Sequence, residues 1–421
     1  MNKKFIVMAA FAALFGMGFT ACSNDDDLGS NAGVEQKGEG QIGFGLTLDN
    51  GVTTRGLAAN VADINVDGFK VWAFDARTAN TYYMGTSSTG IACEWNSTDE
   101  LYEPAVKYYW PEYNLSFLAH TPQTGGGIGE ISVTSATAAQ PGAVMNVSIP
   151  TTLNSQRDIM FAAANSKHTP DASVAMTFKH ALSQLVFKGK IDYTSNITKV
   201  VVSNISLVNV ATDGTITVTS AADAATCVAA VDGGDDYSAS MTAKLINATI
   251  NTDYKTEAGT TYQDITGGDV TDELAYTGAT TRTQQMMILP QTVNTSKADG
   301  DISLVAPAFD AETPYEVGKY VVYSSKLYKC TTAHAAGAWD ADDFTAVGAY
   351  LLVNADLYAN NDDSNKVLEN TTNVYIPLNE TTWAPGYKYT YILEFGENLL
   401  KPITFTSSIT GWSDASKDVT F

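Results

Sequence analysis

Histidine and cysteine are the side chains best suited to hold a soft metal or to pair as base and nucleophile, and this 421-residue chain has four of each. The cysteines stand at positions 22, 93, 227 and 330, with no CxxC pair, so a structural zinc site has no support. Beyond Cys22, the remaining Cys93, Cys227 and Cys330 allow at most one disulfide, and buried free thiols are expected. Residues 38–43 (GEGQIG) match GxGxxG, but they precede a strand pattern, whereas a dinucleotide site needs that motif after a strand and opening a helix. GxxxxGK[ST], GxSxG and HExxH are absent, and the acidic cluster at 360–363 lacks the spacing of a calcium loop. Carboxylates are too many for any pair to be nominated as a glycosidase dyad. No catalytic residue, metal or cofactor is assigned, and the expectation is a protein that is not an enzyme.

One thiol does carry a chemical expectation. Residues 1–4 (MNKK) are basic and residues 5–21 are uncharged, a run that reads as a secretory signal. It ends in FTAC, where small residues precede Cys22 in the manner of a lipobox. The thiol is then the acyl acceptor, and the acidic SNDDD that follows suits a lipoprotein exported to the surface. An ordinary signal with a coincidental cysteine is the alternative. Each buried CH₂ of an acyl chain contributes about 0.8 kcal/mol, so two or more chains hold a protein to an outer membrane.

The elements that follow are β-patterned. Residues 1–21 form the signal and 22–40 an acidic, flexible linker. In 41–48 (QIGFGLTL), Ile42, Phe44, Leu46 and Leu48 recur at period two, a strand with one buried side. The same alternation appears over 68–74, 115–119, 174–178, 200–210 and 387–395, with turns expected at 49–51, 213–214 and 232–234. A short helix around 180–185 is the one helical expectation. Many short strands with Gly and Asn turns indicate an all-β protein of sandwiches or barrels. Net charge is −22 with a pI near 4.4, which disfavours nucleic acid and anionic lipid, since both require Lys and Arg.

Several segments occur in a recognisable order. They are 102–111 (YEPAVKYYWP) leading into 115–122 (LSFLAHTP), then 158–162 (DIMFA), 176–183 (MTFKHALS), 288–291 (ILPQ), 383–389 (WAPGYKY) and 411–414 (GWSD). Together they resemble the fimbrillin-like family, lipoprotein subunits of Gram-negative surface fimbriae. The resemblance implies two tandem transthyretin-like Greek-key β-sandwich domains, over 41–179 and 180–421. It gives Tyr109, Trp110 and Phe117 a packing role, and His180 that of a packed, hydrogen-bonded histidine. It also implies cutting by an Arg-specific protease between Arg55 and Gly56, loss of the strand carrying Ile42, Phe44, Leu46 and Leu48, and strand addition from other fimbrial subunits. Residues 418–421 (DVTF) alternate and could belong to a donor tail.

Residues 307–347 stand apart from that pattern. With YEVG at 315–318, YVVY at 320–323, LYKC at 327–330, and His334 before Trp339, they resemble the small carbohydrate-binding module of bacterial chitinases. That resemblance implies a small inserted β-module and glycans as partners. Where chitinase modules carry adjacent exposed tryptophans, this chain has Thr331, Thr332 and Ala333, leaving Tyr315 and Trp339 as the candidate sugar platform or else as the module core. The combined expectation is a cell-surface fimbrial adhesin at the outer membrane, tip or accessory rather than main shaft. The alternative is a monomeric glycan-binding lipoprotein.

Overall fold

The segment FKVWAFD is apolar at nearly every position, so as a strand it must be covered on both faces. In the computed structural model it is the strand Phe69–Asp75, and its faces enter two different cores. Phe69, Val71 and Ala73 point into one; Trp72 and Phe74 point into the other. The structure describes residues 39–48, 67–98, 101–137, 140–151, 155–170, 172–191, 197–220, 226–229, 237–247, 263–265, 272–273, 286–293, 304–359, 373–379, 381–395, 407–411 and 416–417. The signal and most of the linker, Cys22, Arg55, Gly56, the 360–363 cluster, the turns at 49–51 and 232–234, and the 418–421 tail lie outside them.

Phe69–Asp75 belongs to a sheet that closes on itself. Its neighbours run Ile91–Asn96, Leu101–Pro104, Phe44–Leu48, Val174–His180, Met160–Lys167 and Leu115–Thr121. The last pairs back onto the first, from Lys70 opposite His120 to Asp75 opposite Leu115. The interior holds Phe44, Phe69, Phe117, Met176 and Phe178. Outside, Trp72, Phe74, Leu118 and Phe161 pack with Ile131, Val133, Met145 and Val147 of a four-stranded sheet. That second sheet is ordered Thr226–Ala229, Asp213–Thr219, Gln140–Ser148, Ile128–Thr137. Asp213 and Gly214, expected as a turn, open a strand instead; the left-handed backbone nearby is at Asn209 (φ 59).

Two further sheets form a sandwich. One is ordered Asp272–Glu273, Ser183–Ile191, Tyr387–Phe395, Ser407–Gly411 and Ser416–Lys417, with Met286–Ile288 also on Ser183–Ile191. The other is ordered Gln263–Ile265, Tyr237–Asn247, Ile197–Val208, Tyr350–Ala359 and Val374–Pro377. Leu185, Phe187, Tyr391 and Leu393 meet Val200, Val202, Ile205 and Val353 in one core. The all-β sandwich expectation holds. The short helix expected around 180–185 does not: Gln184 to Ile191 pair in parallel with Lys388 to Phe395, and Leu185 and Phe187 alternate into the sandwich.

Two glutamine side chains act as pieces of backbone. Gln156, fully buried, accepts from Met287 N at 2.8 Å and donates to Met287 O at 2.9 Å and Pro150 O at 2.8 Å. Gln291 does the same for Ala211, accepting from its N and donating to its O, both at 2.9 Å. Each satisfies buried peptide groups with a side-chain amide in place of a peptide.

Residues 307–347 lie between the strands Gln291–Val293 and Tyr350–Ala359, and carry their own sheet of Tyr320–Tyr323, Lys326–Cys330 and Phe344–Ala346. The hairpin turn places Ser324 and Ser325 at φ 49 and 64, the left-handed pair that a two-residue hairpin needs. Leu327 and Val347 pack on Val208, Tyr350 and Tyr375 of the sandwich, and Asn209 Nδ2 donates to Val347 O at 2.8 Å.

Replacing Gln156 with Leu strands the Met287 N–H and C=O in the core, at about 1–3 kcal/mol each. Urea unfolding is expected to show a loss of about 2–6 kcal/mol. His120, 3% exposed and against Trp72, has its pKa pushed down to about 4, first by burial and then by Lys70. It is neutral when folded and gains a proton on unfolding below its ordinary 6.5. Stability is therefore expected to fall as pH drops from about 6.5 to 4, by about 3 kcal/mol from this residue. His120→Phe should flatten that part of the pH profile.

Candidate functional site

The N-terminal strand is seated through its side chains more than through its ladder. Phe44–Leu48 runs parallel to Val174–Phe178 over five residue pairs, but on its other side only Phe44 pairs, with Tyr102. Before it, Glu39–Gln41 pairs with Tyr109–Trp110, and Ile42 N donates to Tyr108 O at 2.8 Å. Gly40, at φ +63, passes so close to Pro170 that a Cβ would lie 2.0 Å from its carbonyl oxygen. Ile42 and Phe44 are fully buried and Leu46 is partly buried; Leu48 is in the strand, and its side chain lies outside the described residues. Phe44 makes edge contacts with Phe69 at 5.7 Å and Phe117 at 5.6 Å.

The groove beneath is apolar. Cys93 lies in the same core, fully buried, and burial drives its thiol pKa far up, which leaves it inert. Trp110 and Phe117 are core residues, whereas Tyr109 is 46% exposed. His180 is hydrogen-bonded, with Nδ1 2.6 Å from the buried Asp158 Oδ2. Cys330 is likewise a buried free thiol, whereas the Cys227 side chain lies outside the described residues. Among the described residues no group of three or more His, Cys, Asp or Glu could hold a metal ion.

In the inserted module, neither Tyr315 nor Trp339 offers an open ring face. Tyr315 is 7% exposed, stacks on Phe309 at 5.4 Å, and its hydroxyl accepts from Asp310 N at 2.7 Å. Trp339 is parallel to Tyr323 at 4.0 Å and nearly parallel to Phe344 at 4.3 Å. Two rings that close to one indole would overlap if they shared a side, so they cover its opposite faces. Of the two uses left open for this pair, the packing is that of a module core: Tyr315 is built in with Val321 and Cys330, and the partly buried Trp339 packs against them.

The module's concavity takes in Tyr315 but not Trp339. An open cleft of about 830 Å³ is lined by the lead-in residues Leu304, Val305 and Pro307 together with residues of the turns at 313–319 and 333–335. His334 lines it and is 7% exposed, with Nδ1 2.8 Å from Asp343 Oδ2. Spacing alone did not mark this pair, because its members stand nine positions apart across turn and loop.

A family model described as fimbrillin-like matches residues 54–412. No curated protein matches the chain. Among solved structures, a fimbrial protein from Bacteroides vulgatus is 15% identical, with 88% of this chain and 99% of that one covered and a TM-score of 0.47. A putative cell adhesion protein from Bacteroides uniformis is 14% identical, with 88% and 99% covered and a TM-score of 0.38. Another, from Bacteroides ovatus, is 12% identical, with 88% and 97% covered and a TM-score of 0.43.

Proposed function

The chain belongs to the fimbrillin-like family, and from that premise we propose that it is a cell-surface fimbrial subunit, acting in adhesion, that assembles by exchange of its N-terminal strand. The observation that carries this reading is the seating of Phe44–Leu48 as one strand of a closed ring, held by five pairs on one side and one on the other. A cut between Arg55 and Gly56 falls seven residues beyond Leu48 and frees the whole segment. Ile42 and Phe44 alone bury side chains worth about 1.5–3 kcal/mol each. Against a domain stability of about 5–15 kcal/mol, an empty groove is a large deficit, so a cut subunit takes up a strand from a neighbour.

In this reading an acyl chain on Cys22 brings the precursor to the outer membrane and leaves with the cut segment. The sandwich domains are 41–179 and 180–421, with 307–347 inserted in the second. What supports the division is that the closed ring draws only on residues 44–180; what ties the halves is Asp213–Thr219 paired with Gln140–Ser148. A module docked on the outside of the sandwich suits a tip or accessory subunit, with glycans as its partners. The alternative, a monomeric glycan-binding lipoprotein, is favoured by the same docked module and differs in binding sugar without being cut.

Digestion of the purified chain with an Arg-specific protease tests strand exchange. Expected are a cut after Arg55, detergent-resistant oligomers on a gel, and a thiol, absent in Cys93→Ser, that reacts after the cut and is shielded again on assembly. A cut chain that stays monomeric with Cys93 still shielded overturns the proposal. Phe44→Ala in the uncut chain should cost about 3–5 kcal/mol in urea unfolding, the range for emptying a buried phenylalanine site.

A further inference from the structure

We propose that the cleft beside the inserted module binds a neutral oligosaccharide, with His334 Nε2 accepting a hydrogen bond from a sugar hydroxyl; this rests on the reading of the chain as an adhesin with glycan partners. The starting point is an unmet acceptor. A carboxylate only accepts hydrogen bonds, so at 2.8 Å from Asp343 Oδ2 it is Nδ1 of His334 that donates. In the neutral ring Nε2 then carries a lone pair, and it has no hydrogen-bond partner among the described residues. A buried polar atom left so costs about 1–3 kcal/mol, a cost that a donor from a ligand removes.

The position of His334 makes that donor reachable. Nε2 is shielded from solvent, but the flanking Ala333 and Ala335 are exposed and line the same cleft. The ring also packs against Phe344 at 5.2 Å and Phe309 at 5.7 Å, so binding in this proposal requires the turn to move until Nε2 reaches the cleft. The walls fit the other half of a sugar. Val305 is 51% exposed, and with Pro307, Pro314 and Tyr320 it gives an apolar lining for the C–H faces of a pyranose. A cleft of about 830 Å³ is of the size that encloses a small-molecule ligand.

Charge narrows the class. The cleft carries one exposed carboxylate, Glu316, and one exposed ammonium, Lys319, which offset each other. Elsewhere the module is acidic, with Asp310, Glu312, Asp340 and Asp342 all exposed. Phosphorylated, sulfated or sialylated chains would meet net repulsion there. A neutral chain of hydroxyls would not.

The test is isothermal titration of the full chain with malto-, cello-, xylo- and N-acetylchito-tetraose. His334→Asn keeps a donor where Nδ1 meets Asp343 and deletes the Nε2 acceptor. Ala335→Trp fills the cleft from an exposed position. Tyr323→Ala, outside the cleft lining, reports on the aromatic stack instead, and thermal melts of all three show whether the module stays folded. Expected is saturable binding of at least one tetrasaccharide, weakened about tenfold or more by His334→Asn and by Ala335→Trp, at unchanged melting temperature. Binding kept by Ala335→Trp but lost in Tyr323→Ala overturns the cleft and leaves the glycan reading standing. Binding lost in Ala335→Trp but unchanged in His334→Asn overturns the role of His334. Failure of all four sugars to bind overturns the proposal, while the protease-driven assembly above stays separately measurable.

Discussion

The pairing of Phe69–Asp75 with Leu115–Thr121 governs much of the molecule, because it turns an open sheet into a ring. An open sheet of these strands would end in two unpaired edges, each a template for unwanted pairing. Closed, it has an inside and an outside, and both are apolar along this seam. All seven residues of Leu115–Thr121 are buried as a result. The inward set completes the ring core; the outward set, Trp72, Phe74 and Leu118, nucleates the larger core shared with the rest of the chain.

A ring also makes the contribution of each strand unequal. The seam strands are fixed on both faces and along both edges, so they cannot leave without dissolving two cores. Phe44–Leu48 is fixed on one face, and one of its edges is joined at a single residue pair. The same closure that stabilises the fold therefore concentrates its weakness in the N-terminal strand. Removal of that strand would leave Leu101–Pro104 and Val174–His180 as facing edges, separated by a slot one strand wide. A slot lined by Phe69, Phe117, Met176 and Phe178 favours another apolar strand over water.

Alternation made the half-buried strand over 174–178 legible, whereas those over 68–74 and 115–119, buried on both faces, stood out as short apolar runs. Closure was not legible. Nothing local in FKVWAFD or LSFLAHT tells which of several apolar strands it will pair with, 45 residues away. The parallel pairing of Ser183–Ile191 with Tyr387–Phe395 is equally remote, which is why Ser183 to Leu185 could be read as part of a helix. Asp213-Gly214 misled for the opposite reason: its residue types favour a turn, but pairing with Val147 and Ser148 overrides them. Gln156 carried no signal, since a polar residue in a loop sequence ordinarily means solvent, and Gln291 was legible only as the end of ILPQ, not as a partner of Ala211.

The module shows how size redirects residue roles. About 40 residues is at the limit below which a fold ordinarily needs a disulfide or a metal. Cys330 is a free thiol, and no metal cluster occurs among the described residues. Aromatic rings are then the remaining source of buried area, and the Tyr323, Trp339 and Phe344 stack with Phe309 at its edge supplies it. Docking on Val208, Tyr350 and Tyr375 contributes the rest. A tryptophan committed on both faces to such a stack has none left for a sugar. Sequence spacing cannot separate the two uses, because a ring that holds a small core and a ring that holds a ligand are the same residue type on the same short strands. The concave surface left beside this core is the cleft around His334, which Tyr315 and Tyr320 also line.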